Sequence, residues 1–239
     1  MTSHDNVTLK RNTLFVVTTA SFLTPFMGSA INLAIPSIGK TFNSGALLLS
    51  WVVTSYILAS AAFLVPFGRL ADIIGRKKIF LAGTTFFTIA SLLCGLAWSI
   101  EALIAFRLLQ GVGSAMIFGT AMAILTSVFE PHERGKALGI NVATVYFGLS
   151  VGPVLGGIIN QNLGWQFIFF VLVPIGFAII ILALLKLKGE WAGARGEKYD
   201  LAGAILYTVG LSSFMYAVSS ISNSPTAKYI MLSGLVILI

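Results

Sequence analysis

Gly68-Arg-Leu-Ala-Asp72-Ile-Ile-Gly75-Arg-Lys-Lys78 lies between two long apolar runs, and its reading governs how the rest of the chain is understood. Ionised side chains are costly in hydrocarbon, so a segment this charged must lie at a membrane surface. It holds one acid, four bases (Arg69, Arg76, Lys77, Lys78) and two glycines. It is too short to form a domain, and reads as a tight turn between two membrane spans.

Working outward, the composition supports that reading. Of the 239 residues, 57% are hydrophobic and 10% charged, against about 25% charged in a soluble domain. Apolar runs of about 20 residues, long enough to cross a bilayer, recur along the chain. They place spans at 14–35, 47–67, 79–99, 103–129, 138–159, 167–187 and 201–221. An eighth run opens near Tyr229 and is still apolar at Ile239, so the chain is expected to continue beyond that point. The expected organisation is a tail at 1–12, a six-helix bundle at 13–187, a polar linker at 188–200 and further spans over 201–239.

The net charge of +7 is not a nucleic-acid footprint. Lys and Arg fall in alternate loops: Lys10 and Arg11, then the four bases of the opening loop, then Arg134 and Lys136, then Lys186, Lys188, Arg195 and Lys198. Those are 12 of the 15 basic residues, and the intervening loops hold only Lys40 and Lys228. Short basic loops stay on the cytoplasmic side, so the N-terminus is expected to be cytoplasmic and the protein a multi-pass protein of the cell membrane. The first apolar run is too long for a signal-peptide core. Cys94 is alone, His4 and His132 lie in cytoplasmic segments, and no metal-ligand spacing occurs. With no metal site, no cofactor motif and no nucleophile paired with a base, an enzyme is not expected.

Three segments carry specific chemistry. In the opening loop, Gly68 and Gly75 permit close approach and turn geometry, and Asp72 can accept from neighbouring arginines or face a helix N-terminus. In span four, Arg107-Leu-Leu-Gln110-Gly111-Val-Gly113-Ser-Ala115 places a formal charge inside an apolar run. Such an arginine costs about 2.5–3.5 kcal/mol near the bilayer centre and should face protein or a watery cavity. Its alternative is to snorkel towards the outer interface. Gln110 shares its helix face, one turn on. In span five, Gly148-Leu-Ser-Val-Gly152-Pro153-Val-Leu-Gly156-Gly157 repeats glycine every four residues, leaving one face bare for close helix packing. Pro153 removes a backbone donor, so a bend is expected there.

These segments resemble motifs of the major facilitator superfamily. The opening loop is similar to the superfamily's G-x-L-A-D-x-x-G-R-K loop, and the resemblance implies a cytoplasmic gate formed by Gly68, Asp72, Gly75, Arg76 and Lys77. Arg107, Gln110 and Gly111 match the fourth-helix pattern R-x-x-Q-G-x-G-A, which implies a part in proton coupling. Gly148, Gly152, Pro153, Gly156 and Gly157 resemble the fifth-helix motif of proton-driven antiporters, which implies export. Asn32-Leu-Ala-Ile-Pro36 and Tyr199-Asp200-Leu-Ala-Gly203-Ala resemble patterns of the fourteen-span drug:proton antiporters. The implied fold is an all-α integral-membrane helical bundle, comprising the N-terminal six-helix half and the first inserted central helix.

Departures from the family pattern are specific. Met27 stands where relatives usually carry an Asp, and Trp165-Gln166-Phe167 lacks their arginine. No acid lies deep in the first seven spans; Glu101 marks the outer mouth of span four, either pairing with Arg107 or capping the helix. A substrate cavity is expected from Phe26, Met27, Asn32, Tyr56, Met116, Asn141 and Tyr146, an apolar lining suited to hydrophobic or amphipathic solutes. The expectation is a secondary transporter for proton-coupled multidrug efflux by alternating access, its partners being such a solute, protons and the lipid bilayer. The alternatives are a proton-independent facilitator of one metabolite and a fragment that does not transport.

Overall fold

The computed structural model describes residues 3–187, 189–220 and 227–238, so Met1, Thr2, Lys188, residues 221–226 and Ile239 of the expected segments lie outside the described residues. Every regular element among the described residues is a helix. The chain runs α1 (Ser3–Ala30), a 3-10 turn (Ile31–Ala34), α2 (Ile35–Phe42), α3 (Ala46–Ile74), α4 (Arg76–Gly95) and α5 (Ile100–Val128). It continues through α6 (Pro131–Asn162), α7 (Gln166–Phe170), α8 (Leu172–Lys186), α9 (Leu201–Ser220) and α10 (Ala227–Leu238). Seven of these segments are long and apolar enough to cross a membrane, with α1–α2 and α7–α8 each counting as one. Helices suit this composition because hydrocarbon offers no partner for an unpaired backbone group.

The helices overshoot the apolar runs from which they were expected. The first begins at Ser3 instead of near residue 13, α3 continues to Ile74, and α6 occupies Pro131–Asn162. A 29-residue helix such as α3 is about 44 Å long, against a hydrocarbon core of about 30 Å. Its charged end therefore extends past the hydrocarbon while remaining helical. Two spans are interrupted, each in the turn that precedes a proline. Pro36 cannot bond back to Asn32, and Pro174 cannot bond back to Phe170; the chain tightens or breaks at those turns.

Helix α5 is the centre of the bundle, with α3 and α4 packed along it. Helix α6 packs along α1, α8 along α4, and α9 lies against α3 with α10 behind it. Exchanging the first three spans for the next three maps these pairings onto one another: the α1–α6 pair becomes α5–α3, and the α4–α5 pair becomes α8–α1. That is the contact pattern of an inverted repeat. The core is dominated by Val17, Leu23, Phe80, Phe87, Ile117 and Ile124, all buried. By contrast, Tyr146, Phe147, Val154 and Ile158 of α6 are exposed.

One end of the bundle is basic. Lys10 of α1 pairs with Glu130 and Glu133 at the start of α6 (3.0 and 2.6 Å). Arg76 at the start of α4 reaches the last turns of α5. Lys77 reaches Leu187, after α8. The opposite end joins α2 to α6 and α7, through Ser37–Asn160 and Thr41–Trp165 hydrogen bonds.

Candidate functional site

At the basic end, the expected turn over residues 68–78 is a joint of one residue. Helix α3 continues to Ile74 and α4 starts at Arg76, leaving only Gly75 outside a helix. Its φ of 123° and ψ of 130° form a conformation open essentially to glycine alone. Gly68 is not a turn residue: it is helical, with nothing within 4 Å of where a Cβ would point. Its bare backbone instead faces Gly119 of α5, where an added Cβ would lie 3.4 Å from the Gly68 Cα. A helix that still has its backbone bonds satisfied gains nothing by stopping at Gly68, because the charged residues beyond it are already at the surface.

Asp72 and Arg76 sit one turn apart across this joint. The Arg76 Nε and Nη2 donate to Asp72 Oδ1 at 2.8 and 2.7 Å. Its Nη1 donates to the Ala123 carbonyl (2.9 Å) and the Ser127 hydroxyl (2.6 Å). The acid and base thus tie the α3–α4 joint to the end of α5 in a forked, charge-assisted arrangement. Lys77 donates through its Nζ to the Leu187 carbonyl at 2.5 Å.

The segment expected to be a linker is folded onto this joint. The Lys77 N–H donates to Glu190 Oε1 (2.8 Å), the Arg76 N–H to the Trp191 carbonyl (2.7 Å), and the Ala194 N–H to the Asp72 carbonyl (2.9 Å). Arg69 pairs with Glu197, and the Tyr199 hydroxyl donates to the Pro66 carbonyl (3.3 Å). Burial, then the nearby Asp200, hold the Tyr199 pKa above its ordinary value, which keeps the hydroxyl a donor. Glu190, Trp191, Glu197 and Tyr199 were missed as site residues in the sequence. The available signal was the placement of Glu190 and Glu197, two of the linker's three acids, in the connection on the same side as a loop with four bases.

The second constellation is inside the bundle. Arg107 is fully buried, so it does not snorkel. Its Nε donates to the Val52 carbonyl (2.9 Å) and its Nη1 to Gln110 Oε1 (2.6 Å). The guanidinium lies 4.2 Å from the centroid of the Tyr56 ring and 6.0 Å from that of Phe169. Gln110 Nε2 donates to the Ser91 hydroxyl (2.7 Å). The Tyr56 hydroxyl donates to the Thr24 carbonyl (2.9 Å) and lies 3.0 Å from Ser114 Oγ. Gly111 makes room for this, since an added Cβ would overlap the Tyr56 carbonyl and lie 2.8 Å from the Ala59 Cβ. Glu101 is exposed in the first turn of α5, where a carboxylate complements the helix dipole. The side chain that caps α5 is that of Ser99, which accepts the Ala102 N–H (3.1 Å). The Arg107 Nη2 has no hydrogen-bond partner.

The third is the seam between α1 and α6. A Cβ on Gly148 would lie 2.9 Å from the Phe22 carbonyl oxygen, one on Gly156 2.6 Å from that of Ala30, and one on Gly152 would overlap the Ser29 hydroxyl. On the neighbouring face, a Cβ on Gly157 would meet Leu33 Cδ1 at 3.1 Å. Helix α6 runs on through Pro153 without a break in its helical residues.

Of the seven residues expected to line one cavity, Phe26, Met27 and Tyr56 share the main packed core. Phe26, Met27, Tyr56, Met116 and Asn141 are buried, whereas Asn32 and Tyr146 are exposed. Met27 belongs to the main core, and Met116 packs with Ala71 and Ile79 against Gly83 of α4. These two methionines are packing residues. The spans are apolar on all sides, so hydrophobicity does not indicate which side faces a cavity. Asn141 is nearly fully buried, with its Oδ1 unpartnered.

The motif spacing, the bundle and the contact pattern of an inverted repeat agree with the family comparison: the sequence model of the Major Facilitator Superfamily matches residues 17–239. The chain belongs to the major facilitator superfamily. Among curated relatives, it is 32% identical over 224 residues to the riboflavin transporter RibZ of Clostridioides difficile (strain 630), covering 94% of this chain and 49% of RibZ. It is 38% identical over 189 residues to the multidrug resistance protein Stp of Mycobacterium tuberculosis (strain CDC 1551 / Oshkosh), covering 79% of this chain and 35% of Stp. The chain therefore spans about half or less of the length of these relatives. The crystal structure of the POT family transporter PepTSo has the same fold, with a TM-score of 0.70 at 14% identity, covering 95% of this chain and 51% of that one.

Proposed function

We propose that this superfamily member is the N-terminal part of a fourteen-span drug:proton antiporter. It exports hydrophobic or amphipathic compounds across the cell membrane by alternating access, with its N-terminus and basic end in the cytoplasm. Residues 13–187 are the first six-helix bundle, 188–200 the inter-bundle segment and 201–239 the additional helices. The Asp72–Arg76 joint is the cytoplasmic gate, Arg107 with Gln110 takes part in proton coupling, and Gly148, Gly152, Pro153, Gly156 and Gly157 form the antiporter seam.

The direction of transport rests on the likeness of the α1–α6 seam to the fifth-helix motif of proton-driven antiporters, and the close packing of that seam supports it. Its glycines leave no space for a side chain, so the two helices meet backbone to backbone and can move only together or by parting. The name of Stp, a multidrug resistance protein, supports export of drugs. Gly152→Leu inserts normally into the membrane and abolishes efflux of a lipophilic dye driven by a pH gradient in inverted vesicles. Normal efflux by that variant would overturn the assignment.

A second reading, a facilitator of a single metabolite, is favoured by the name of RibZ, a riboflavin transporter. The same vesicles separate the two. Solute-stimulated proton release belongs to the antiporter, and flux indifferent to the pH gradient to the facilitator.

A further inference from the structure

The conspicuous contact that no motif accounts for is that of Leu187 and residues 189–199 with the gate. Over this stretch the chain leaves α8 and crosses the α3–α4 joint before entering α9. Its anchors are spread along its length and are mostly backbone bonds. The Leu187 carbonyl accepts from Lys77 Nζ, the Trp191 carbonyl accepts the Arg76 N–H, and the Ala194 N–H donates to the Asp72 carbonyl. Glu197 pairs with Arg69 at its far end.

Glu190 is the point at which this segment meets the joint most closely. Its carboxylate accepts the Lys77 N–H at the first turn of α4, where unpaired amides and the helix dipole favour a negative charge. It fills the space over Gly75, and a Cβ placed on that glycine would overlap the Glu190 carboxylate. Three residues on, a Cβ on Gly193 would lie 3.4 Å from Arg76 Nη2 and 4.0 Å from Asp72 Oδ1, so the segment crosses directly above the gate pair. Arg76 in turn holds Ala123 and Ser127 of α5. There is thus an unbroken chain of hydrogen bonds from the inter-bundle segment, through the joint, to the end of α5.

We infer that residues 189–199 are a strap and that Glu190 is a positioning residue for the gate. By capping α4, Glu190 sets the angle at Gly75 and with it the place of the Asp72–Arg76 pair. A movement of the inter-bundle segment is then transmitted to the gate within this bundle. This rests on the transporter reading for its role in turnover, but the strap and its coupling to α5 are testable without transport.

The test uses the full chain in proteoliposomes, comparing wild type with Glu190→Ala and the isosteric Glu190→Gln by hydrogen exchange and by efflux. Loss of one charge-assisted bond raises exchange at the Lys77 amide by about tenfold in Glu190→Ala. The strap role also raises exchange over residues 123–128, which Glu190 does not touch, and lowers maximal efflux with the half-saturating solute concentration unchanged. Glu190→Gln keeps the acceptor and loses the charge, so it lies between the two and covers the case in which Glu190→Ala fails to fold. Unchanged exchange at Lys77 overturns the cap. A change confined to Lys77 and residues 189–199, with residues 123–128 as in wild type, overturns the positioning role and leaves a passive surface contact. If the complete antiporter of which this chain is the N-terminal part transports no solute, the function proposed above fails, while the two exchange readings still decide the strap.

Discussion

Arg76 and Arg107 are both held by protein, but they solve opposite problems. Arg76 is partly exposed and has an ionised partner, Asp72, together with two acceptors on α5. Arg107 is fully buried with neutral partners only: a backbone carbonyl, the Gln110 amide oxygen and the faces of two aromatic rings. An exposed ion pair can break and re-form at little cost, because water accepts both ions. A buried guanidinium has no such alternative, so each neutral acceptor it touches matters more. The Asp72–Arg76 joint is therefore suited to switching, and the Arg107 network to holding helices in register.

The largest effect is expected at Arg107. Arg107→Met keeps most of the volume but strands the Gln110 oxygen, costing about 1–3 kcal/mol, and eliminates solute-driven proton exchange. Thermal unfolding in detergent and vesicle efflux measure the two parts. Unchanged stability would mean that water reaches this site and that the contrast with Arg76 is false. A smaller loss is expected for Tyr56→Phe, which keeps the ring under the guanidinium but removes the donor to the Thr24 carbonyl, costing about 1 kcal/mol. A loss as great as that of Arg107→Met would move the centre of the network from the charge to the hydroxyl. The smallest effect belongs to Arg69→Gln. Its ion pair with Glu197 is about half exposed on both sides (48% and 59%), so it contributes at most about 1 kcal/mol. A larger destabilisation than at Arg107 would reverse the contrast.

How much of this could be read in advance differs by region. The spans were legible because about 20 apolar residues in a row admit one main solution in hydrocarbon. The close packing expected of the Gly148–Gly152–Gly156 face needed only the four-residue spacing to be seen. Arg107 was legible as a charge out of place, although the sequence left open whether it was buried or at the interface. The turn expected at Gly68 was misread because a charged run was taken to end the helix, when helices leave the hydrocarbon without unwinding, whereas the close approach expected of it is made to Gly119. The cavity roster was the least legible: Met27 and Met116 lie in packed cores, and nothing in an all-apolar helix indicates which side that will be.

Composition, span count and the charge asymmetry between loops were determined by the sequence itself, because they depend only on the cost of placing each residue in hydrocarbon. Which residues meet across the bundle was decided only by the tertiary structure. The folding of Glu190 over Gly75, 115 positions away in the chain, depends on where α8 ends relative to the α3–α4 joint. No local preference encodes that distance; it arises from the packing of α8 on α4, which brings an acid from one loop to the amides of another.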